Sequence, residues 1–399
     1  MNVLVALSRF PYPTDKGDKL RAFYQIKELS KKHKIFLLCL SDEKIAPSHV
    51  QKLNIYCEEI KIISLEKKAI YSNLFLALFN KAPFQVNYFK NKEMHTIMSQ
   101  WIYRFNIDIV YVQLIRLVEN LPFEEDVPFF LDYMDALSEG MYKRIKYSTF
   151  YQKPLVKIEA NRLKSYEVNV GKFFQGYSII SDQDSQFLPK TIQDSMSVIP
   201  NGVNEYYLET ISDRAVKKYD LIFTGNMGYH PNIVAAQFIV QKVLPILKER
   251  GFNLSVCLAG TSPSVEVLKL QSPQTHVTGF VEDIRSYILE SKIFVAPLLS
   301  GSGLQNKLLE AMACGLPSIT TSLANKALGA KDNEQIIIAD TAQLFAEKIE
   351  YLLKNELVAD RIGNEGKIFI KQHFDWAKTT TLLEDAFEKI VEMRNVINE

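Results

Sequence analysis

At 399 residues the chain is longer than one ordinary hydrophobic core supports, so two domains are expected. Its 47 Lys and Arg nearly cancel 46 Asp and Glu, leaving +1, which argues against a nucleic-acid partner, while 47 % apolar residues argue against disorder. Four scattered cysteines without a C-x-x-C pair and six histidines without ligand spacing leave no disulfide framework and no metal site to read.

In chain order, Met1-Asn2-Val3-Leu4-Val5-Ala6-Leu7 is apolar but lacks a basic leader, so it reads as a buried strand rather than a secretion signal. The loop Ser8-Arg9-Phe10-Pro11-Tyr12-Pro13-Thr14-Asp15-Lys16-Gly17-Asp18-Lys19-Leu20-Arg21 follows, at the sheet edge where α/β proteins place ligands. Gly17 permits close backbone approach, and Lys19 and Arg21 could attract a phosphate; a solvated charged loop explains the same residues. A helix is expected over 19–31, with strands over 35–40 and 60–64. Within 69–89, the apolar run Ile70-Tyr71-Ser72-Asn73-Leu74-Phe75-Leu76-Ala77-Leu78-Phe79 follows Lys67-Lys68 and precedes Lys81. Such a segment suits peripheral contact with a membrane or, more often, a core helix. Strands are expected over 107–112, 129–132 and 176–181. Past the second of these, Asp132 and Asp135 could face a ligand, or Asp135 or Ser138 could cap a helix.

The second half repeats the scheme, with strands over 221–224, 254–259, 276–280, 293–297, 318–321 and 335–339. Helices over 233–248, 283–290, 307–314 and 342–354 separate them. This βα alternation implies an α/β chain of two Rossmann-like doubly wound parallel-sheet domains facing a cleft. The expected division is 1–195, 196–375 and a terminal segment 376–399, with a helix over 379–394 whose stripe Leu382, Leu383, Phe387, Ile390 and Val391 should be buried.

The densest chemistry lies in Ser300-Gly301-Ser302-Gly303-Leu304-Gln305-Asn306-Lys307-Leu308-Leu309-Glu310-Ala311-Met312-Ala313-Cys314-Gly315-Leu316-Pro317. A strand, a Gly/Ser loop and a helix start form an anion site, because free N–H groups and the helix dipole point at it. Lys307 adds a positive charge there, and Glu310, one turn on, can accept two hydroxyl hydrogens. That combination suits the phosphates and diol of a sugar nucleotide; an exposed i,i+3 ion pair is the plainer alternative. In Thr224-Gly225-Asn226-Met227-Gly228-Tyr229-His230-Pro231-Asn232 two glycines admit a phosphate, or simply make a tight βα turn.

These segments together resemble the retaining glycosyltransferases of family 4, which have the GT-B fold. Their pattern is a glutamate, seven residues, a second glutamate, then Ala-Met-Ala-x-Gly-x-Pro. The run Glu310 to Pro317 matches throughout, whereas the first glutamate's position is Ser302. Pro11-Tyr12-Pro13-Thr14-Asp15-Lys16-Gly17-Asp18-Lys19-Leu20-Arg21 is similar to the first loop of family 4 sugar transferases of bacterial exopolysaccharide systems, and Ile199-Pro200-Asn201-Gly202-Val203 to the family's domain junction. The resemblance implies donor contacts at Gly225, Asn226, Met227, Gly228, Phe280, Val281, Ser302, Gly303, Leu304, Gln305, Asn306, Lys307 and Glu310. It implies catalytic roles for Lys307, Glu310 and Asp135, acceptor-side roles for Gly17, Asp18, Arg21 and Asp132, and a terminal helix that braces the N-terminal domain. The Arg and Lys that usually follow the glycine loop are missing before Lys242, which leaves Lys307 at the phosphates.

The implied reaction moves a sugar from a nucleotide-diphosphate donor to a hydroxyl of a glycan or lipid-linked saccharide, with retention and with neither cofactor nor metal. Leaving-group charge would fall on the Gly225–Gly228 amides, the helix start and Lys307. A GT-B sugar-nucleotide epimerase and a catalytically degenerate binding subunit are the alternatives, the latter supported by Ser302. No uncharged apolar stretch approaches the roughly 20 residues that span a bilayer, so a cytoplasmic protein, free or at the inner face of the membrane, is expected.

Overall fold

The computed structural model describes residues 1–146, 148–209, 216–300 and 303–398, with side chains throughout except at 395, 397 and 398. Two compact units divide the chain, Met1–Pro200 with Trp376–Glu399, and Asn201–Asp375. The sequence-based boundary at 195/196 is thereby corrected to Pro200/Asn201. The reason is a short strand that sequence reading treated as linker.

The first unit is one parallel sheet of β1 (Asn2–Leu7), β2 (Lys34–Ser41), β3 (Glu59–Ser64), β4 (Ile109–Gln113), β5 (Phe129–Asp132), β6 (Gly176–Ile179) and β7 (Met196–Val198). Its order is β3-β2-β1-β4-β5-β6-β7. Met196, Ser197 and Val198 pair with Tyr177, Ser178 and Ile179, so β7 closes this sheet instead of leading out of it. Val3, Leu4, Val5 and Ala6 are fully buried, as expected of a central strand covered on both faces.

The second unit holds β8 (Tyr219–Thr224), β9 (Val256–Ala259), β10 (Thr275–Gly279), β11 (Ser291–Ala296), β12 (Ser318–Thr320) and β13 (Ile337–Ile338), ordered β10-β9-β8-β11-β12-β13. Both units are therefore Rossmann-like. In each, strand order reverses once, at β1/β4 and at β8/β11, and ligands of doubly wound sheets bind beyond the strand C-termini at that point.

The terminal helix Trp376–Asn398 belongs to the first unit. Leu383 and Phe387 are fully buried, with the Phe387 ring 5.0 Å from Phe130 and 5.6 Å from Tyr111. Trp376 stacks on Tyr24 at 5.3 Å. Leu382, expected in the buried stripe, is 46 % exposed, because the helix turns its 383/387 edge to the sheet. The single helix expected over 233–248 is instead His230–Phe238, a π turn Ile239–Val243 and Leu244–Glu249. Pro245 explains the widening, since it has no N–H to give the ladder.

Helix Glu356–His373 was not anticipated. It seats the end of helix Asn306–Ala313: a Cβ on Gly363 would lie 2.2 Å from the Gly315 carbonyl, and one on Gly366 would lie 3.4 Å from Met312 Cε.

Candidate functional site

Helix Asn306–Ala313 begins just past β11, at the reversal of the second sheet. It ends as its sequence dictates. Gly315 takes φ +75°, Leu316 N–H donates to Ala311 O and Gly315 N–H donates to Met312 O, the paired bonds that close a helix on a left-handed residue. At its start Leu308 N–H already donates to Gln305 O at 2.9 Å, which leaves the N–H groups of Asn306 and Lys307 without an intrahelical acceptor. Gly303 is left-handed at φ +92°, and Asn306 Oδ1 accepts from Asn201 Nδ2 at 3.3 Å. Gln305 Nε2 donates to Gly303 O at 3.1 Å, and Leu304 packs into the core. Ser302, whose identity departs from the family pattern, lies outside the described residues.

Lys307 does not pair with Glu310. Its ammonium donates to Asn232 Oδ1 at 2.5 Å and lies 5.0 Å from the centre of the Phe223 ring. Asn232 is buried, and its Nδ2 donates to Asn226 O at 2.8 Å. Both Lys307 and Glu310 keep some contact with solvent, yet the protein around them strips enough hydration to move both titrations. Lost hydration lowers Lys307 to about 8 despite the attraction of Glu310, and raises Glu310 to about 7 despite Lys307. Among the described residues no hydrogen bond reaches the Glu310 carboxylate, so its two oxygens are open to a diol.

The glycine loop is placed as expected but cannot act as expected. Gly225 N–H donates to Ala259 O at 3.0 Å, Met227 N–H to Thr261 O at 2.8 Å and Gly228 N–H to Asn226 Oδ1 at 2.9 Å. Three of the four amides from Gly225 to Gly228 are thus engaged, so the expected phosphate contact through them is corrected to the helix start and Lys307. The glycines serve close packing. Gly225 has φ +147° and Gly260 φ +144°, and a Cβ on Gly260 would fall 1.8 Å from Gly225 O. Phe280 and Val281 follow left-handed Gly279, with Phe280 72 % exposed and free to meet a flat ring. Asn232 and Gly260 were missed; the available signals were a polar residue in the first turn of the helix after β8 and a glycine directly past β9.

In the first unit the sequence-based assignments divide. Arg21 and Asp132 are corrected: both are fully buried, with Arg21 Nε 2.6 Å from Asp132 Oδ2 and Nη1 donating to Ile199 O at 2.9 Å. Tyr111 and Ser178 donate to the same carboxylate at 2.8 and 3.0 Å. This is an internal brace, not an acceptor surface. Lys19 pairs with Asp15 at 3.1 Å, and nothing lies within 4 Å of a Cβ built on Gly17.

Asp18 is engaged by Arg9 Nη1 at 3.0 Å and by Arg116 Nη1 at 3.9 Å, beyond the β1 and β4 ends where this sheet reverses. Arg116 was not anticipated. Both guanidinium groups stand about 6 Å from the Phe89 ring centre, at 6.0 and 5.9 Å. Asp135 is solvent-exposed at the β5 end and caps no helix; Ala136 is the N-cap, while Ser138 Oγ donates to Glu167. Lost hydration at its carboxyl, then the charges of Asp184 and Asp132, raise Asp135 to about 7. Leu114 holds φ of +68° directly after β4, and Met134 φ of +60° two residues past β5. Left-handed residues without glycine carry backbone strain, which proteins concentrate at functional loops.

Residues 218–355 match the family described as glycosyl transferases group 1. The matched stretch holds Gly225, Asn232, Gly260, Lys307 and Glu310, so the contacts of the Lys307 ammonium with Asn232 and Phe223 fall within it. Nearly the whole chain is similar to an uncharacterized 44.6 kDa protein in the cps region of Klebsiella pneumoniae, 21 % identical over 391 residues covering 94 % of this chain and 97 % of that one. The capsular polysaccharide biosynthesis glycosyltransferase CapM of Staphylococcus aureus is 25 % identical over 187 residues, 44 % of this chain and 49 % of CapM. Among solved structures, Anabaena Alr3699/HepE in complex with UDP aligns at TM-score 0.66 and 13 % identity, over 98 % of this chain and all of that one (100 %). The likeness shows a shared fold, the GT-B type of two Rossmann-like units.

Proposed function

We propose that the chain transfers a sugar, with retention, from a nucleotide-diphosphate donor to a hydroxyl of a glycan or lipid-linked saccharide in surface polysaccharide or glycoconjugate synthesis, acting on the cytoplasmic side of the membrane. One observation carries this: a cation fixed on a buried asparagine at a helix start, one turn from a carboxylate that accepts no hydrogen bond among the described residues. Lys307 and the first helix amides would take up charge as the diphosphate leaves. Glu310 would hold the ribose diol, and the departing phosphate would accept the proton of the acceptor hydroxyl. Arg9, Asp18, Arg116 and Asp135 form the acceptor-side set, replacing Arg21 and Asp132.

Titration calorimetry with a panel of nucleoside diphosphates and nucleotide sugars, followed by product analysis, tests this. Binding and transfer of one donor are expected. Binding without transfer or hydrolysis of any donor would favour the degenerate-subunit reading that Ser302 supports. An epimerase would need carboxylate and histidine acid–base groups at the donor sugar, and among the described residues the carboxylate placed beside Lys307 is Glu310.

Glu310→Gln should weaken nucleoside diphosphate binding by about 1.5–3 kcal/mol, the scale of a charge-assisted hydrogen bond. Unchanged affinity in a folded variant would return Glu310 to the status of an ordinary helix residue. The phosphate contacts proposed here need no ion, and among the described residues no three His, Cys, Asp or Glu could hold a metal. Activity should therefore survive excess EDTA; loss reversed by magnesium or manganese would assign the chemistry to a metal-dependent class.

A further inference from the structure

The aromatic run that follows Lys67-Lys68 is not core. In helix Lys67–Leu76 and the turn after it, Ile70 and Ala77 anchor inward, while Tyr71, Phe75, Leu78 and Phe79 are 70, 61, 58 and 77 % exposed. The segment is nevertheless held in place. Asn73 Nδ2 donates to Lys90 O at 2.9 Å, and Arg162 Nη1 donates to Ala77 O at 2.7 Å and Ala82 O at 3.2 Å. Glu159 accepts from the N–H groups of Phe84 and Gln85. Leu155 and Ile158 stand one turn before Glu159 and Arg162 on helix Lys153–Val170, and they too are 54 and 46 % exposed. Two elements thus present apolar side chains side by side, far more than the isolated exposed residues of an ordinary surface. Phe150 and Tyr151, at 82 and 89 %, continue the set at the start of the same helix.

Charge around this face is predominantly basic. Segments 67–81 and 143–158 hold Lys67, Lys68, Lys81, Lys143, Arg144, Lys146, Lys153 and Lys157, against exposed Glu66 just before the first and Glu139, which pairs with Lys143 at 3.6 Å, before the second. All of these basic residues but Lys143 are exposed. The chain as a whole nets only +1, so the basic residues are concentrated where the apolar side chains protrude. Aromatic side chains flanked by lysines match a bilayer interface, where rings enter the headgroup layer and ammonium groups meet lipid phosphates. A second copy fits less well, because a two-fold contact would bring like-charged rims together. Among the described residues no helix is long and apolar enough to cross a membrane, so the contact is superficial.

We infer that the first unit docks on an anionic lipid surface through Tyr71, Phe75, Leu78, Phe79 and the Leu155/Ile158 edge, with the surrounding lysines as counter-charges. The inference does not depend on the donor chemistry. Sedimentation of the full chain with vesicles of phosphatidylcholine plus phosphatidylglycerol, against phosphatidylcholine alone, tests it. Wild type should bind the anionic vesicles preferentially, less so at high salt. Phe75→Ser/Phe79→Ser should lower that partitioning by about tenfold or more, and Lys67→Glu/Lys68→Glu/Lys81→Glu should remove the preference for anionic lipid. These positions are exposed, so circular dichroism and melting should match wild type. Equal binding to both vesicle types, or full binding by the double Phe variant, would overturn the inference. So would a wild-type dimer in sedimentation velocity that the Phe variant abolishes, which would assign the face to a second copy.

Discussion

Arg21→Ala should lower the unfolding free energy of the first unit by about 3–5 kcal/mol, the cost of leaving one member of a buried ion pair alone. Arg21 is fully buried on helix Gly17–Leu29, its guanidinium 2.6 Å from Asp132 and within bonding distance of Ile199 O just past β7. One side chain thereby ties helix, β5 and the last edge of the sheet together. Without it the Asp132 carboxylate would keep Tyr111 and Ser178 as donors but lose its counter-charge in a fully buried site. Adding Asp132→Asn to Arg21→Ala should recover part of the loss, because the unpaired charge is gone. Urea titration of both variants checks this. A shift under about 1 kcal/mol for Arg21→Ala would mean that the ion pair contributes little beyond what water would supply.

Lys307→Ala should slow sugar transfer by about a hundred- to a thousandfold, the effect of removing one preorganised group from developing charge. The ammonium is held by Asn232 before any ligand arrives, so little reorganisation is needed when the diphosphate leaves. Single-turnover rates with a saturating donor separate this from lost binding; a variant with normal turnover would show that the helix start alone suffices. The pair also predicts a pH dependence. Lys307 is lowered to about 8, so above that pH the free protein loses the proton that a bound anion favours, and affinity should fall. Glu310 is raised to about 7, so below that pH it is protonated and gives up an acceptor site for the diol, and affinity should fall again. Nucleoside diphosphate affinity should peak between these limits, and Lys307→Ala should abolish the alkaline decline.

Much of this chain was legible because the information is local. Continuous apolar runs such as Val3 to Leu7 mark buried parallel strands, and Gly315 announces a helix end through its own backbone preference. The switch from strand to Gly/Ser loop to helix placed Lys307 and Glu310 at a helix start on neighbouring turns, as the structure has them. Strand β7 was not legible: three residues with one polar among them become a strand only by pairing with Tyr177, Ser178 and Ile179.

The partners of the charged groups were decided by tertiary structure alone. Arg21 looks like a surface cation in sequence, yet the carboxylate that buries it lies 111 residues away. Lys307 is fixed by Asn232, 75 residues distant, and not by Glu310 beside it. The Gly225 and Met227 amides look free for phosphate until the end of β9 and the loop after it are folded against them. Periodicity separates apolar from polar along one element, but whether a polar group meets water, a ligand or another buried group depends on what the other strands bring to it, and that is set by packing across the sheet.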